Sequence, residues 1–346
     1  MKYLAVLGRQ PEISIAELEA TDFCTDIDRL GGTQKLAVKL DGKPLDFLAG
    51  LPEGKITLGV SDYSKGASRK TATVEALKLK KILVRHGRSV RVVENKEAIL
   101  STATSLHNGL SGKNERKVEL IKVDNDWYKV IGVQDIDAYT KRDQARPARD
   151  AKVGMLPPKL AQILINLCGS LPKNARILDP FCGTGVVLQE ALLMGYQAYG
   201  TDINERMVEY SEKNLKHFDF KNFELSQGDA TSFEWGQPID AVACEGYLGQ
   251  PMSQIPADIK LKEQKQECKA IIIGFLKNLV EQIKSDTPVV IACPAWLREG
   301  GEYERLDIID EIENMGYNVN NKSREGFLYH RENQIVARDI IILRKK

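Results

Sequence analysis

The chain has 346 residues, of which 42% are hydrophobic and 28% charged, enough apolar side chains for two or three domains with buried cores. A net charge of only +1 excludes a uniformly basic protein. The N-terminal apolar run is too short for a signal peptide, and no run approaches the roughly 18 residues of a membrane span. We therefore expect a soluble, cytoplasmic protein that does not enter a membrane.

The charge is distributed unevenly along the chain. Residues 61–150 contain 19 Lys and Arg against 12 Asp and Glu, whereas the segments on either side are net negative. This surplus predicts that a polyanion binds the middle segment. The alternative is a charged face that only contacts solvent.

The cysteines and histidines do not show metal-ligand spacing. No Cys-x-x-Cys pair is present, and the four histidines are scattered. We therefore predict reduced thiols and no zinc site. The cysteines are Cys24, Cys168, Cys182, Cys244, Cys268 and Cys293.

The first 135 residues read as alternating short strands and helices. Ser14 and Glu17 form a capping-box pattern that predicts a helix through about Ala20. An amphipathic helix is predicted over 74–86, with cations on its polar face. The other expected elements are strands at 3–7, 33–40, 56–60, 90–93, 118–123 and 128–134, and helices at 45–51 and from 101. The first 60 residues carry no catalytic signature and favour a scaffold or adaptor role.

A strand, a glycine loop and a helix follow one another from residue 174. Ile177 and Leu178 end an apolar strand, Asp179 stands at its carboxyl end, and Gly183 and Gly185 permit a tight turn. Ligands of open α/β sheets bind at such a corner. A dinucleotide fingerprint Gly-x-Gly-x-x-Gly is absent. An ordinary strand-to-helix turn is the alternative.

The run Asp-Pro-Phe-Cys-Gly-Thr-Gly over 179–185 resembles motif I of the class I S-adenosylmethionine methyltransferases that methylate nitrogen in RNA or DNA. The resemblance implies that Asp179, Phe181, Gly183 and Gly185 bind S-adenosylmethionine.

Two further acids follow predicted strands and are assigned to the same cofactor. Asp202, with Ile203 after it, stands about twenty residues past the glycine loop, a spacing that suits an acceptor for ribose hydroxyls. Asp202 could instead cap the helix over 205–215. Asp229 and the N–H of Ala230 could bind the adenine, or Asp229 could be a turn residue.

A fourth predicted strand runs into Glu245-Gly246-Tyr247. Amino-methylases carry Asp or Asn, then Pro-Pro-Tyr, at this position, so the chain departs from their pattern. We expect Glu245 and the Gly246 carbonyl to accept hydrogen bonds from a target amine, and Tyr247 to stack on the base. The altered motif leaves an inactive version as the alternative. Helices are predicted at 270–283 and 307–315 and a strand at 289–293. An antiparallel hairpin over 329–343, with turn residues between 327 and 336 and a long final strand, closes the predicted sheet.

Three segments extend the resemblance over nearly the whole chain. Residues 14–20, Arg146-Pro through 161, and 179–185 occur in an order similar to that of the Trm11-type tRNA guanosine-N2 methyltransferases. The resemblance implies a tRNA substrate, usually methylated at guanosine 10. It also implies an α/β protein in which a ferredoxin-like and THUMP α+β region precedes a Rossmann-like class I methyltransferase domain.

The expected division is a ferredoxin-like region at 1–60, a THUMP-like RNA-binding domain at 61–135, a linker at 136–156 and a methyltransferase domain at 157–346. Two other functions remain open, a DNA adenine or cytosine N-methylase and a noncatalytic RNA-binding protein. The sequence does not decide whether a small activating subunit is needed.

Overall fold

A computed structural model describes residues 1–149, 156–332 and 334–346. These residues form two compact units. The first unit contains residues 1–8 and 24–139, and the second contains residues 9–23 and 140–346.

The strands of the described residues are β1 (Tyr3–Leu7), β2 (Thr33–Lys39), β3 (Ile56–Asp62), β4 (Val90–Val92), β5 (Lys117–Val123), β6 (Asp126–Val133), β7 (Arg176–Asp179), β8 (Gln197–Asp202), β9 (Phe223–Gln227), β10 (Ala241–Glu245), β11 (Pro288–Leu297), β12 (Tyr303–Arg305), β13 (Tyr317–Val319), β14 (Leu328–Tyr329) and β15 (Val336–Lys345). The helices are α1 (Pro11–Ala20), α2 (Pro44–Ala49), α3 (Arg69–Arg85), α4 (Thr102–His107), α5 (Ile136–Gln144), α6 (Pro158–Asn166), α7 (Val186–Leu193), α8 (Glu205–His217), α9 (Asp258–Val280) and α10 (Ile309–Asn314), with a 3₁₀ turn at Ile27–Arg29.

The first unit contains one six-stranded mixed sheet in the order β1-β2-β6-β5-β3-β4. Apolar residues of α3 pack on this sheet in a core with Ile56, Leu58 and Val60 of β3. The predicted boundary between residues 60 and 61 falls inside β3, whose residues are all buried. The predicted ferredoxin-like and THUMP-like regions therefore share one sheet, because β3 pairs with strands drawn from the second region.

The second unit is built on a nine-stranded sheet whose main path runs β13-β15-β11-β10-β7-β8-β9. The strands from β9 across to β11 are parallel. β15 is antiparallel to the three strands it pairs with, β11, β13 and β14. This order, with one reversed strand near the edge, is that of a class I methyltransferase, and it confirms the predicted fold class.

Helix α1 belongs to the second unit although its neighbours in sequence, β1 and β2, belong to the first. Its Ile13 is 1% exposed and lies in a core cluster with residues of α6. Asn166 of α6 donates to the Glu17 carboxylate at 2.7 Å, and both side chains are buried. The helix begins at Pro11, so the predicted capping box is wrong: Ser14 lies one turn inside the helix and donates to the Gln10 carbonyl.

Two other helices begin earlier than their apolar pattern predicts. Ser68 caps α3, since its hydroxyl accepts from the Thr71 N–H and the Thr71 hydroxyl accepts from the Ser68 N–H. Helix α9 begins at Asp258 rather than near residue 270. Its first three turns are mostly charged, and only Leu261, Gln264 and Cys268 among them are buried, which is why the apolar run alone placed its start too late.

The described residues of the predicted linker, 136–156, belong from residue 140 onward to the second unit. This linker begins with α5, whose Arg142 donates to both oxygens of the buried Glu190 carboxylate on α7. Arg146 is 3% exposed and donates to the Thr184 hydroxyl at 3.0 Å. The motif Gly154-Met155 of the resemblance lies outside the described residues. Helix α6 begins at a proline pair, since Pro157 is its N-cap and Pro158 its first residue.

Candidate active site

Four acidic residues lie at or just beyond the carboxyl ends of neighbouring strands. Asp179 ends β7, Asp202 ends β8, Glu245 ends β10, and Asp229 follows β9. Because these strands are parallel, their carboxyl ends share one edge of the sheet. The structure therefore brings the predicted cofactor and catalytic residues to the same edge.

The glycine loop after β7 depends on two residues with left-handed backbone conformations. Gly183 has φ of 50° and Gly185 has φ of 82°. A Cβ on Gly185 would lie 2.9 Å from the Ser211 hydroxyl of α8, whereas one on Gly183 would approach no atom closer than 3.9 Å. Gly185 thus allows α8 to approach the loop, and Gly183 exposes its backbone to the sheet edge.

Asp202 connects the loop to the end of β8. Its two carboxylate oxygens accept from the N–H of Gly183 and the N–H of Asn204, each at 2.9 Å. Each oxygen retains a lone pair that could accept a ribose hydroxyl. Burial raises the pKa of Asp202, and the two N–H donors oppose that rise. The alternative that Asp202 caps α8 is wrong, since the N-cap is Asn204.

Asp179 is 2% exposed and accepts from the Phe181 N–H at 3.2 Å. Burial raises the pKa of Asp179 well above its usual range, and the nearby charges of Asp202 and Glu245 raise it further. The Phe181 N–H acts in the opposite direction. A cluster of buried carboxylates is costly unless a cation lies beside it, so this edge of the sheet suits a positively charged ligand.

Phe181 and Ile203 differ in their surroundings. The Phe181 ring packs edge-on against Phe275 of α9, with ring centroids 5.2 Å apart, and so helps fix the loop from behind. Ile203 is 66% exposed at the end of β8. An exposed apolar side chain beside Asp202 suits contact with a flat apolar ring of a ligand.

Asp229 is exposed and forms a turn. Its Oδ1 accepts from both the N–H and the hydroxyl of Thr231, as the turn alternative predicted, while its other oxygen is not used in that turn. Ala230 is buried, and its carbonyl accepts from Asn278 of α9. Gly228 donates to the Asp202 carbonyl, which brings this turn close to the end of β8.

Glu245 and Gly246 continue the pairing of β10 with β11. The Gly246 N–H donates to the Ala292 carbonyl at 3.0 Å, a bond that a proline at this position could not form. The Glu245 Oε1 accepts from Nε of Arg338 at 2.7 Å. Burial raises the pKa of Glu245, and the Arg338 guanidinium opposes the rise. The sequence did not single out Arg338 as part of the site, because it lies 93 residues away on β15.

Tyr247 is half-buried beside the core cluster that contains Phe275. Its hydroxyl donates to Glu267 of α9 at 3.1 Å and accepts from Gln250 at 3.1 Å. These bonds anchor the ring by its outer end. The Tyr247 ring is therefore already oriented, and a base that stacks on it would meet a fixed ring face.

Asn214 of α8 supports the loop from the side opposite the sheet edge. Its Nδ2 donates to the carbonyls of Ala148 and Thr184, and its Oδ1 accepts from the Ala148 N–H. Sequence reasoning missed this residue, because a buried Asn on a helix resembles any other polar position. The segment after α5 is thus fixed against the glycine loop.

Among residues 1–149, 156–332 and 334–346, no group of three or more His, Cys, Asp or Glu side chains could hold a metal ion. No helix in the same part of the chain is long and apolar enough to cross a membrane.

The sheet order and the loop at the ends of β7 and β8 define a class I methyltransferase, the class that uses S-adenosylmethionine. A family model described as a methyltransferase domain matches residues 171–305. Another, described as a DNA methylase, matches residues 94–213.

The chain belongs to the tRNA (guanine(10)-N2)-dimethyltransferase family. It is 41% identical over 139 residues to the probable enzyme of that name from Methanothermococcus thermolithotrophicus, covering 39% of this chain and 78% of the relative. It is 42% identical over 157 residues to the one from Methanothermobacter thermautotrophicus, covering 45% of this chain. That match spans 44% of the relative's length, less than half.

A solved structure, TrmN from Thermus thermophilus, aligns with 91% of this chain and 84% of its own. The TM-score is 0.47 and the identity 17%. This similarity is too low to carry a functional conclusion.

Proposed function

We propose that this chain transfers methyl groups from S-adenosylmethionine to N2 of a guanine in tRNA, at position 10. The observation that supports it most is the placement of Glu245 at the end of β10, next to β7 and its glycine loop, while Asp202 ends β8 on the other side of β7. The target class is the one for which its relatives, the tRNA (guanine(10)-N2)-dimethyltransferases, are named. When bound, S-adenosylmethionine supplies an electrophilic methyl group on a sulfonium.

The residues at the sheet edge fit such a cofactor. Asp202 would accept from the ribose, Ile203 would pack on the adenine, and Asp229 and the Ala230 N–H would bind its edge. Gly183 and Gly185 would let the backbone approach, on a loop that Phe181 holds from behind. The buried carboxylate of Asp179 favours the cofactor's positive charge.

The target amine is a weak nucleophile, because its lone pair is delocalised into the purine. Glu245 and the Gly246 carbonyl would accept hydrogen bonds from its two N–H groups. These bonds would turn the nitrogen lone pair out of conjugation with the purine ring. Tyr247 would stack on the base. No covalent intermediate with the protein is required, so the residues act mainly by placing the amine.

We assign tRNA capture to the first unit, in which residues 61–135 form the THUMP-like part. This assignment is supported by the surplus of Lys and Arg over Asp and Glu in residues 61–150. A tRNA substrate is also what supports the predicted cytoplasmic location.

The test is transfer of labelled methyl from S-adenosylmethionine to three substrates: tRNA, the same tRNA with adenosine at position 10, and duplex DNA. We expect N2-methylated guanosine from the first alone, identified by mass spectrometry of nucleosides. Methylated DNA would favour the alternative that the chain is a DNA methylase. That alternative is supported by the match of residues 94–213 to the DNA methylase family model. Cofactor binding without methylation of any substrate would support a noncatalytic protein.

Glu245→Ala and Glu245→Gln separate catalysis from cofactor binding. A misplaced amine should slow single-turnover methylation about a hundredfold in Glu245→Ala, with a smaller loss in Glu245→Gln, which keeps one carbonyl acceptor. Cofactor affinity, measured by calorimetry, should change little. Wild-type rates in Glu245→Ala would show that the acceptor lies elsewhere.

A further inference from the structure

Arg338 reaches the candidate catalytic acid from a different strand. Its Nε donates to Oε1 of Glu245 at 2.7 Å, and the two side chains are only 7% and 15% exposed. An arginine this deeply buried has lost most of its hydration and must be compensated by an acceptor. This burial excludes a role as a solvent-exposed surface cation.

The strand register explains how the two side chains meet. Glu245 on β10 is opposite Ala292 on β11, and Arg338 on β15 is opposite Pro294 on β11. Residues two apart on a strand share a face, so Ala292 and Pro294 lie on the same side of β11. Their short side chains leave room for the arginine to cross β11 and reach Glu245.

The contact uses one carboxylate oxygen. Among the residues that the structure describes, Oε1 is the only atom of the Glu245 side chain with a hydrogen-bond donor. Two other arginines near the end of β15, Arg305 and Arg324, contact Asp339 instead. Asp339 is adjacent to Arg338 on β15, so its side chain points to the opposite face of the sheet.

The charge of Glu245 depends on this arrangement. The charged and titratable groups near it are Arg338, the Asp179 carboxyl on β7 and the thiol of Cys244, its neighbour on β10, which points to the opposite face. Burial favours the neutral acid, and of these groups only Arg338 favours the carboxylate. A neutral acid would present a hydroxyl at one oxygen and be the weaker acceptor.

We propose that Arg338 is a positioning residue for methyl transfer: it holds Glu245 through Oε1 and leaves Oε2 to accept a hydrogen bond from the target amino group. This inference rests on the proposed function. It also accounts for the departure from the Asp or Asn of the amino-methylases. The extra methylene of glutamate adds a rotatable bond, and the arginine fixes it.

The first test measures the Glu245 carboxyl directly and needs no activity. Glutamate labelled with ¹³C is titrated by NMR in the wild type, Arg338→Met, Arg338→Lys and Arg344→Met, and Glu245→Gln identifies the signal. Loss of the guanidinium should raise the pKa of Glu245 by about one unit or more in Arg338→Met. Arg338→Lys should restore part of the difference. Arg344 is a matched control on β15, where it donates to the Asp286 carbonyl, and its loss should leave Glu245 unchanged.

The second test measures single-turnover methylation of tRNA against pH. A raised pKa leaves less carboxylate at low pH, so Arg338→Met should be about ten- to a hundredfold slower near pH 6, with a smaller deficit near pH 9. Cofactor affinity should persist. The methylation rate of Arg338→Lys should lie between those of the wild type and Arg338→Met. Thermal melting checks that the Arg338→Lys variant is folded.

The outcomes separate the two proposals. A wild type that methylates no tRNA contradicts the proposed function. An active wild type contradicts the positioning role alone if Glu245 titrates identically in Arg338→Met. Equal losses at every pH, with Arg338→Lys no better than Arg338→Met, would indicate a merely structural arginine and overturn the inference.

Discussion

At the scale of single residues, Asp202 is oriented before any cofactor binds. Its two oxygens already accept from the backbone of Gly183 and Asn204, so little side-chain entropy remains to be lost on binding. Asp229 differs, because it is exposed and one of its oxygens is committed to Thr231. We therefore expect unequal contributions from the two acids.

Asp202→Ala should weaken S-adenosylmethionine binding by roughly ten- to a hundredfold, since a hydrogen bond to a charged acceptor is worth about 1.5–3 kcal/mol. Asp229→Ala should weaken it by less than about tenfold, because solvent competes for an exposed bond. Calorimetry on both variants makes the comparison. Equal affinities in the wild type and Asp202→Ala would contradict the ribose assignment.

At the scale of elements, the connection from β7 to α7 is shaped by backbone conformation and by the approach of α8. Gly183 and Gly185 both have positive φ, but only at Gly185 would an added Cβ overlap another element, helix α8. Substituting Gly183 tests the cost of backbone strain alone, whereas substituting Gly185 tests backbone strain together with steric overlap.

Gly183→Ala should destabilise the second unit by about 1–2 kcal/mol, the cost of a left-handed conformation for a residue with a Cβ. Gly185→Ala should cost about 1–3 kcal/mol more, because its Cβ would overlap the Ser211 hydroxyl, 2.9 Å away. Denaturant unfolding measures both. A similar loss in the two variants would show that α8 moves aside at little cost.

At the scale of the whole molecule, the two units do not follow the order of the sequence. The chain leaves the first sheet after β1 and forms helix α1, which belongs to the second unit. There α1 packs through Ile13 and through the hydrogen bond from Asn166 to Glu17. The predicted N-terminal region of residues 1–60 thus contributes a helix with one buried face to the second unit.

Ile13→Ala should destabilise the protein by about 2–5 kcal/mol, as expected for a buried aliphatic side chain cut to a methyl group. Ile15→Ala is the matched control on the same helix, because Ile15 is 45% exposed, and it should cost less than about 1 kcal/mol. Thermal melts of the full chain test this difference. If both variants melt alike, α1 is not part of the core that unfolds.

Capture of tRNA by the first unit predicts a salt-dependent effect of exposed cations on α3. Lys81→Glu with Arg85→Glu should weaken tRNA binding, and the slope of affinity against salt should fall by roughly 0.7–0.9 per lost phosphate contact. The control, Lys213→Glu with Lys216→Glu, makes the same charge change on α8, where both lysines pair with glutamates. An equal loss in both double variants would indicate a general charge effect rather than a binding face.

The sequence by itself determined the class of fold, and it predicted the strand ends at which the cofactor would bind. The run from Asp179 to Gly185, the acid at Asp202 and the strand ending at Glu245 are local patterns, and parallel strands bring their ends to one edge. It also predicted most strands and helices, since their apolar periodicity is local. The starts of α1, α3 and α9 were misplaced where capping or charged turns extended a helix beyond its apolar stripe.

Only the tertiary structure decided which distant residues meet. The pairing of Arg338 with Glu245 depends on the register of β15 against β11, which spans 93 residues and leaves no local signal. The docking of α1 on α6, and of the Arg146 segment on the glycine loop, depends likewise on burial between elements far apart in sequence. Side-chain chemistry can be read along a chain, but the partner of a buried charge is fixed by the packing that brings the two together.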